Sequence, residues 1–348
     1  MQWDVFCRVV DNFGDIGVCW RLAADLASRG ESVRLWTDDS SALAWMAPDG
    51  AAGVQVLDWP GDLDEPPPPG DVVIEGFGCD PPARFVEAMA KAETPPVWIN
   101  LEYLSAESYV ERCHGLRSPQ LSGPGQGLDK WFFYPGFTAA TGGLIREHGL
   151  LHAQRRPDAA RWLASLGIVR DPGERLVSVF CYDHEDPAGT SRLAAFSAEP
   201  TLLLMMGGVR PPASVLPSVR IQCMPRLSQV DYDHLLHACD LNVVRGEDSF
   251  VRAQWAGRPF IWQIYPQSDG AHAVKLDAYL DKFLAGAAPG LPVDDLRALW
   301  KGWNGLGPVA RTLPPLPAWV AHCERWRTGL QATPDLVSTL SEFIAKTR

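Results

Sequence analysis

The sequence predicts an α/β protein made of two Rossmann-like domains facing across a cleft. Three observations lead to this reading. Residues 5–36 run strand, polar glycine loop, helix, strand. A second alternation of strands and helices occupies residues 159–264. The strands are short continuous apolar runs rather than alternating ones, the pattern of a parallel sheet covered on both faces.

In order, a first strand at 5–10 leads through Asp11-Asn12-Phe13-Gly14-Asp15-Ile16-Gly17 into a helix over 18–28. That helix stops at Arg29-Gly30, a basic residue followed by a glycine suited to the left-handed position beyond a helix end. Strands follow at 31–36, 54–57 and 72–75, with the loop Glu65-Pro66-Pro67-Pro68-Pro69-Gly70 before the third. A helix at 84–91, a buried strand at 97–101 and an extended aromatic block at 131–137 complete the first half. The second half offers a helix at 159–166, a strong strand at 176–182, a helix near 191–198, and strands at 201–206 and 219–223. A helix at 229–238, a strand at 241–244, a helix at 249–255 and a strand at 259–264 come next. Helices at 271–284, 319–330 and 334–346 close the chain. The domains are therefore placed at 1–158, with the terminal segment 331–348 packing back on it, and at 159–330. Two such halves fit the GT-B architecture of many nucleotide-sugar transferases, whose site lies in the cleft between the halves.

The 348 residues hold ample apolar content for a core in each half. With 42 Asp and Glu against 31 Lys and Arg, the balance disfavours a nucleic-acid-binding surface. The sequence contains no run of about 18 apolar residues, so no membrane span is expected, and the N-terminus reads as a strand rather than a signal. The eight cysteines include no C-x-x-C pair, so reduced, mostly buried thiols of a cytoplasmic protein are expected.

The loop at 11–17 follows the first strand, where an α/β sheet places its functional residues. It lacks G-x-G-x-x-G, which removes the dinucleotide fingerprint. It carries Asp11 and Asp15 among glycines. Paired carboxylates suit general-base or electrostatic work at a glycosyl centre; an Asx-turn followed by a helix cap fits the same spacing. In the second half, Val244-Arg245-Gly246-Glu247-Asp248-Ser249 reads as strand, tight glycine turn and helix, a geometry that presents backbone N–H groups to an anion. Ser249 is either the N-cap or, with neighbouring amides, a phosphate ligand. Arg245 is suited to neutralise a leaving diphosphate in place of a metal. Glu247 and Asp248 equally suit an ordinary helix start, where the dipole favours acids. Asp231-Tyr232-Asp233 and Asp62-Leu63-Asp64 match D-x-D, a pattern short enough to arise by chance. His234 and His237 share a helix face without evident carboxylate partners, which favours packing over metal binding.

The stretch Asp11-Asn12-Phe13-Gly14-Asp15-Ile16-Gly17-Val18-Cys19-Trp20-Arg21-Leu22, together with Arg245-Gly246-Glu247-Asp248-Ser249-Phe250-Val251-Arg252-Ala253-Gln254, resembles one family: the bacterial elongation factor P arginine rhamnosyltransferases, EarP. Phe180-Cys181-Tyr182, Leu227-Ser228-Gln229 and Trp255-Ala256-Gly257-Arg258-Pro259 extend the resemblance, which runs in order from residue 5 to about residue 280. It implies an inverting GT-B transferase that moves L-rhamnose from dTDP-β-L-rhamnose to an arginine side chain of elongation factor P. With the thiols, the acidic balance and the lack of a long apolar run, the expectation is a cytoplasmic protein with no metal or cofactor besides the donor substrate and no nucleic-acid or membrane partner. By the same resemblance Asp11, Asp15 and Glu247 are the catalytic carboxylates, with Asp15 the leading general base. Asn12, Phe13, Gly14, Gly17, Phe180, Tyr182, Gln229, Arg245, Asp248 and Ser249 are the expected donor-binding residues. Arg226 stands where an aromatic stacked on thymine is expected; a guanidinium plane can also stack there. The short motifs taken alone also fit a GT-B transferase with another donor or acceptor, or a non-catalytic nucleotide-sugar-binding protein.

Overall fold

The computed structural model describes residues 1–11, 13–59, 61, 65–153, 159–182, 192–207 and 216–348. The chain divides into two compact units, Met1–His148 with Thr333–Arg348, and Gly149–Ala332.

The first unit is built on strands β1 (Gln2–Cys7), β2 (Ser32–Thr37), β3 (Val54–Asp58), β4 (Val72–Gly76), β5 (Val97–Leu101), β6 (Arg117–Pro119) and β7 (Asp129–Phe133). They lie in the order β3-β2-β1-β4-β5-β7-β6, parallel except for β6. β1 is buried on both faces, which is why it reads as a continuous apolar run. Trp3, Val5 and Cys7 join one core with Ile16, Cys19 and Leu22 of the helix Gly14–Ser28; Phe6 joins the other with Trp36, Trp59 and Phe85. The one polar side chain of β1 pointing into this interior is fully engaged: Asp4 accepts from Arg34 Nε at 2.6 Å, Trp36 Nε1 at 2.8 Å and Gly70 N at 2.7 Å. The chain winds outward from β1 to β3 and returns to the other side of β1 at β4. The loops leaving the carboxyl ends of β1 and β4 therefore diverge, and that switch point is where open α/β sheets bind ligands.

The terminal helix Leu336–Thr347 belongs to the first unit. Its buried Leu336, Val337, Leu340 and Ile344 enter the same core as Trp3 and Val5, each such side chain contributing roughly 1.5–3 kcal/mol. Asp335 caps it, accepting from Ser338 N at 2.9 Å, and pairs with Arg29 at 2.7 Å just past the end of Gly14–Ser28.

The second unit carries β8 (Arg175–Val179), β9 (Thr201–Met205), β10 (Val219–Cys223), β11 (Leu241–Arg245) and β12 (Phe260–Gln263), all parallel, in the order β10-β9-β8-β11-β12. Its switch point lies between β8 and β11. An aromatic core holds the sheet to its helices. Phe250 stacks on Trp262 with ring centroids 3.9 Å apart, and Tyr279, Phe283 and Trp300 continue the cluster.

Several boundaries differ from the sequence expectation. The first strand spans Gln2–Cys7 rather than 5–10, and Val10 is 70% exposed. The following helix starts at Gly14, so Asp15 and Gly17 sit in its first turns rather than in a loop. β8 ends at Val179, and Phe180, Cys181 and Tyr182 leave the sheet. The unit boundary falls at His148/Gly149 instead of 158/159. A helix at Val293–Trp303, not anticipated, buries Leu296, Leu299, Trp300 and Trp303.

Candidate active site

The first constellation forms where β1 passes into the helix Gly14–Ser28. Asp15 is 2% exposed, and its two carboxylate oxygens have different partners. Oδ2 accepts the backbone N–H groups of Val10 and Asp11, both at 2.9 Å; Oδ1 accepts the Tyr103 hydroxyl at 3.2 Å. The loop backbone thus wraps the carboxylate from behind, with charge-assisted bonds about twice as strong as neutral ones. Its place in the first helical turn adds a favourable dipole. Asp11 approaches from the same loop: its carbonyl accepts from Gly14 N at 2.6 Å, and its Oδ2 lies where a β-carbon on residue 14 would come within 2.7 Å. Glycine is what lets the Asp11 carboxylate lie over the helix start. Phe13 occupies the N-cap position without a side-chain cap, its carbonyl accepts from Gly17 N at 3.0 Å, and its ring packs edge-on against Trp45. Asn12 lies outside the described residues.

Two aromatic residues absent from the sequence expectation complete this corner. Tyr103 follows β5, and its ring stacks on Phe77 with centroids 4.3 Å apart at 11°. Phe77 follows β4 with φ 59, the left-handed region that bulky L-residues rarely enter. The available sequence signal was position, since both residues stand just past the carboxyl ends of strands beside the switch point.

The second constellation forms at the carboxyl ends of β8 and β11. Gly246 turns the chain with φ 61, and the helix Asp248–Ala256 follows with Glu247 at its N-cap position. Arg245 at the end of β11 is held by aromatic faces: its guanidinium lies 4.3 Å from the Phe180 ring centroid and 4.8 Å from that of Tyr182, and it donates to the Cys181 carbonyl at 3.0 Å. Tyr182 is fixed in turn by its N–H, which donates to Gln263 Oε1 at 2.8 Å. Gln229 Nε2 donates to Asp248 Oδ2 at 3.2 Å, joining the helix Gln229–Ala238 to the helix start. A pre-set cation beside a helix N-terminus is chemistry suited to a diphosphate.

Ser249 departs from its expected capping role. It is the second helical residue, and its hydroxyl turns back on Arg245, donating to the carbonyl and accepting from the N–H at 3.2 Å. Such local side-chain to backbone bonds compete with outward ligation. Tyr232, packed edge-on against Phe180, buries a hydroxyl that makes no hydrogen bond, and burial pushes its pKa up. Arg226 is exposed.

The D-x-D match at 231–233 is structural. Ser228 caps the helix Gln229–Ala238, accepting from Asp231 N at 3.1 Å and donating to Asp231 Oδ2 at 3.0 Å. Asp233 forms a buried two-pronged pair with Arg252 at 2.9 and 2.7 Å. The match at 62–64 lies outside the described residues. Among the described residues no group of three or more His, Cys, Asp or Glu is placed to hold a metal ion. His234 is buried edge-on against Trp162. All eight cysteines are free, and only Cys223 is exposed. Burial pushes the Cys181 thiol up to about 12, and Cys7 is held well above its ordinary value by its hydrogen bond to Cys19 and by burial, so neither acts as a thiolate.

Residues 3–345 match the family model described as Elongation-Factor P (EF-P) rhamnosyltransferase EarP. A protein-arginine rhamnosyltransferase of Pseudomonas aeruginosa is 43% identical, with 99% of each chain covered. A solved structure described as the structural basis for EarP-mediated arginine glycosylation of translation elongation factor EF-P is 32% identical with a TM-score of 0.65, covering 100% of this chain and 99% of that one. Arabidopsis thaliana UGT89C1 complexed with UDP shares the fold alone, at 13% identity and TM-score 0.55 over 99% of each chain. Among the described residues no helix is long and apolar enough to cross a membrane. The chain belongs to the EarP family of EF-P rhamnosyltransferases and is a glycosyltransferase of GT-B fold.

Proposed function

We propose that this protein transfers L-rhamnose from dTDP-β-L-rhamnose to an arginine side chain of elongation factor P, with inversion at the anomeric carbon. The observation that carries the reading is the Asp15 carboxylate, locked by two backbone N–H groups on one oxygen and carrying a tyrosine hydroxyl on the other. A base so fixed loses no orientation when the acceptor arrives.

The acceptor poses a physical problem, because a guanidinium stays protonated below a pH of about 12. Asp11 and Asp15 grip it through charge-assisted hydrogen bonds, and one nitrogen gives up its proton to Asp15 as it bonds to the anomeric carbon. In the same step the bond from that carbon to the diphosphate oxygen breaks, and dTDP leaves from the opposite face. Positive charge on the sugar peaks in this transition state, where Glu247 contributes electrostatic stabilisation. Arg245 and the amides at the start of Asp248–Ala256 take the diphosphate charge, so no metal is required. Phe180, Tyr182, Gln229, Asp248 and Ser249 of the second unit, and Asn12, Phe13, Gly14 and Gly17 of the first, are the remaining residues assigned to donor binding. A cytoplasmic location suits eight free cysteines.

The test is the linkage in the product. NMR of the glycosylated EF-P peptide is expected to show α-linked rhamnose on an arginine nitrogen, with dTDP-glucose giving no product. A β linkage would rule out the single displacement.

A further inference from the structure

Tyr103 has the geometry of a substrate contact. Asp15 Oδ2 is taken by the N–H groups of Val10 and Asp11, so Oδ1 is the oxygen that faces an incoming proton. The Tyr103 hydroxyl reaches that same oxygen at 3.2 Å, from a residue 40% exposed. One face of the Tyr103 ring is backed by Phe77, nearly parallel to it. Phe77 is held in its left-handed backbone conformation by its N–H, which donates to Leu101 O at 2.7 Å, at the end of the strand that leads to Tyr103. Unusual backbone at the edge of a site is retained when the surroundings over-determine it, and here it braces one ring.

We infer that the Tyr103 ring, backed by Phe77, is the seat for the acceptor's guanidinium plane beside Asp15. A planar cation bonded to Oδ1 lies across the ring within the range of about 6 Å over which a ring face attracts a guanidinium. The second unit holds its own guanidinium the same way, with Arg245 over Phe180 and Tyr182. The ring favours a flat, weakly hydrated guanidinium over a compact, strongly hydrated ammonium, which makes Tyr103 a specificity residue for arginine over lysine. The assignment rests on the proposed arginine acceptor.

The experiment compares wild type, Tyr103→Phe and Tyr103→Leu in steady-state transfer to EF-P, with donor affinity followed by calorimetry. Tyr103→Leu is expected to raise the acceptor KM about tenfold while donor affinity stays unchanged, and Tyr103→Phe is expected to restore the wild-type KM. An unchanged acceptor KM in Tyr103→Leu overturns the assignment. So does a Tyr103→Phe variant as impaired as Tyr103→Leu, because the ring alone would then be insufficient. Should Tyr103→Leu lose donor binding through misfolding, Tyr103→Phe decides on its own: a wild-type acceptor KM supports the ring as the seat, and an acceptor KM raised about tenfold overturns it. If wild type fails to modify arginine at all, the proposed function fails; if it modifies arginine and Tyr103→Leu keeps its KM, the Tyr103 assignment alone fails.

Discussion

A β-carbon on Gly14 would stand 2.7 Å from the Asp11 carboxylate oxygen Oδ2, closer than real β-carbons come to a neighbour. Gly14 opens a helix, where alanine is more favourable by up to about 1 kcal/mol. Gly14→Ala is therefore expected to leave the melting temperature unchanged or slightly raised while pushing the Asp11 carboxylate aside. Transfer should fall at least tenfold, since misplacing a gripping group by about 1 Å can cost 100-fold. Wild-type turnover in a variant of normal stability would remove Asp11 from the site.

Arg245 is held by two rings and one carbonyl, a setting matched to a planar cation. Arg245→Lys keeps the charge but loses the fork and the stacking. Affinity for dTDP should drop by roughly 10- to 100-fold, corresponding to about 1.5–3 kcal/mol for charged hydrogen bonds. Calorimetry with dTDP checks this, and unchanged affinity would place the diphosphate elsewhere.

The Asp233–Arg252 pair is buried, with side chains 7% and 1% exposed. Removing one partner strands a charge and should cost about 3–5 kcal/mol. Asp233→Ala is expected to unfold at lower denaturant, and a double change to Asp233→Leu with Arg252→Met to recover much of the loss. Chelation should leave transfer intact in the wild type, because Asp231 and Asp233 are committed to Ser228 and Arg252. Activity abolished by a chelator and restored by a divalent cation would contradict this.

Asp335 ties the terminal helix to the first unit. Burial alone would raise its carboxyl, but the N–H and hydroxyl of Ser338 and the Arg29 guanidinium outweigh that and hold it below the ordinary aspartate value. A depressed acid contributes stability that is complete above its unfolded value and lost as pH falls through the folded one. Protection from hydrogen exchange in Leu336–Thr347 should therefore fall as pH drops below about 3.9. Asp335→Ala should lose about 0.5–2 kcal/mol near neutrality and show a flatter acid response. The same acid slope in both proteins would assign the transition to other carboxylates.

What the sequence revealed followed from locality. Asp11, Asp15, Arg245 and Glu247 each sit within a few residues of a strand end, so strand-to-helix patterning marked them. The start of Gly14–Ser28 was obscured because Gly14 and Gly17 are weak helix formers and read as loop. Apolar Val9 and Val10 drew the first strand too far along, although Val10 faces outward. The helix Val293–Trp303 was legible in principle, as Leu296, Leu299, Trp300 and Trp303 recur at helical spacing, but it lies amid proline and glycine. The place of Tyr103 just past a strand was readable, but its contact with Asp15 was not: 88 positions separate the two, and only the order of strands in the sheet brings them together. The inward turn of the Ser249 hydroxyl was equally hidden, since a serine near a helix start can bond outward or back to its own turn.

The most direct measurement is the intact mass of elongation factor P after incubation with this protein and dTDP-β-L-rhamnose, run in parallel with Asp15→Asn. The account predicts a gain of one deoxyhexose, mapped to an arginine, with the wild type. With Asp15→Asn it predicts a rate lower by about 100- to 10,000-fold, the usual contribution of a positioned base, at unchanged donor affinity. Transfer at the wild-type rate by Asp15→Asn, or no gain of mass with a wild type that binds the donor, would contradict it.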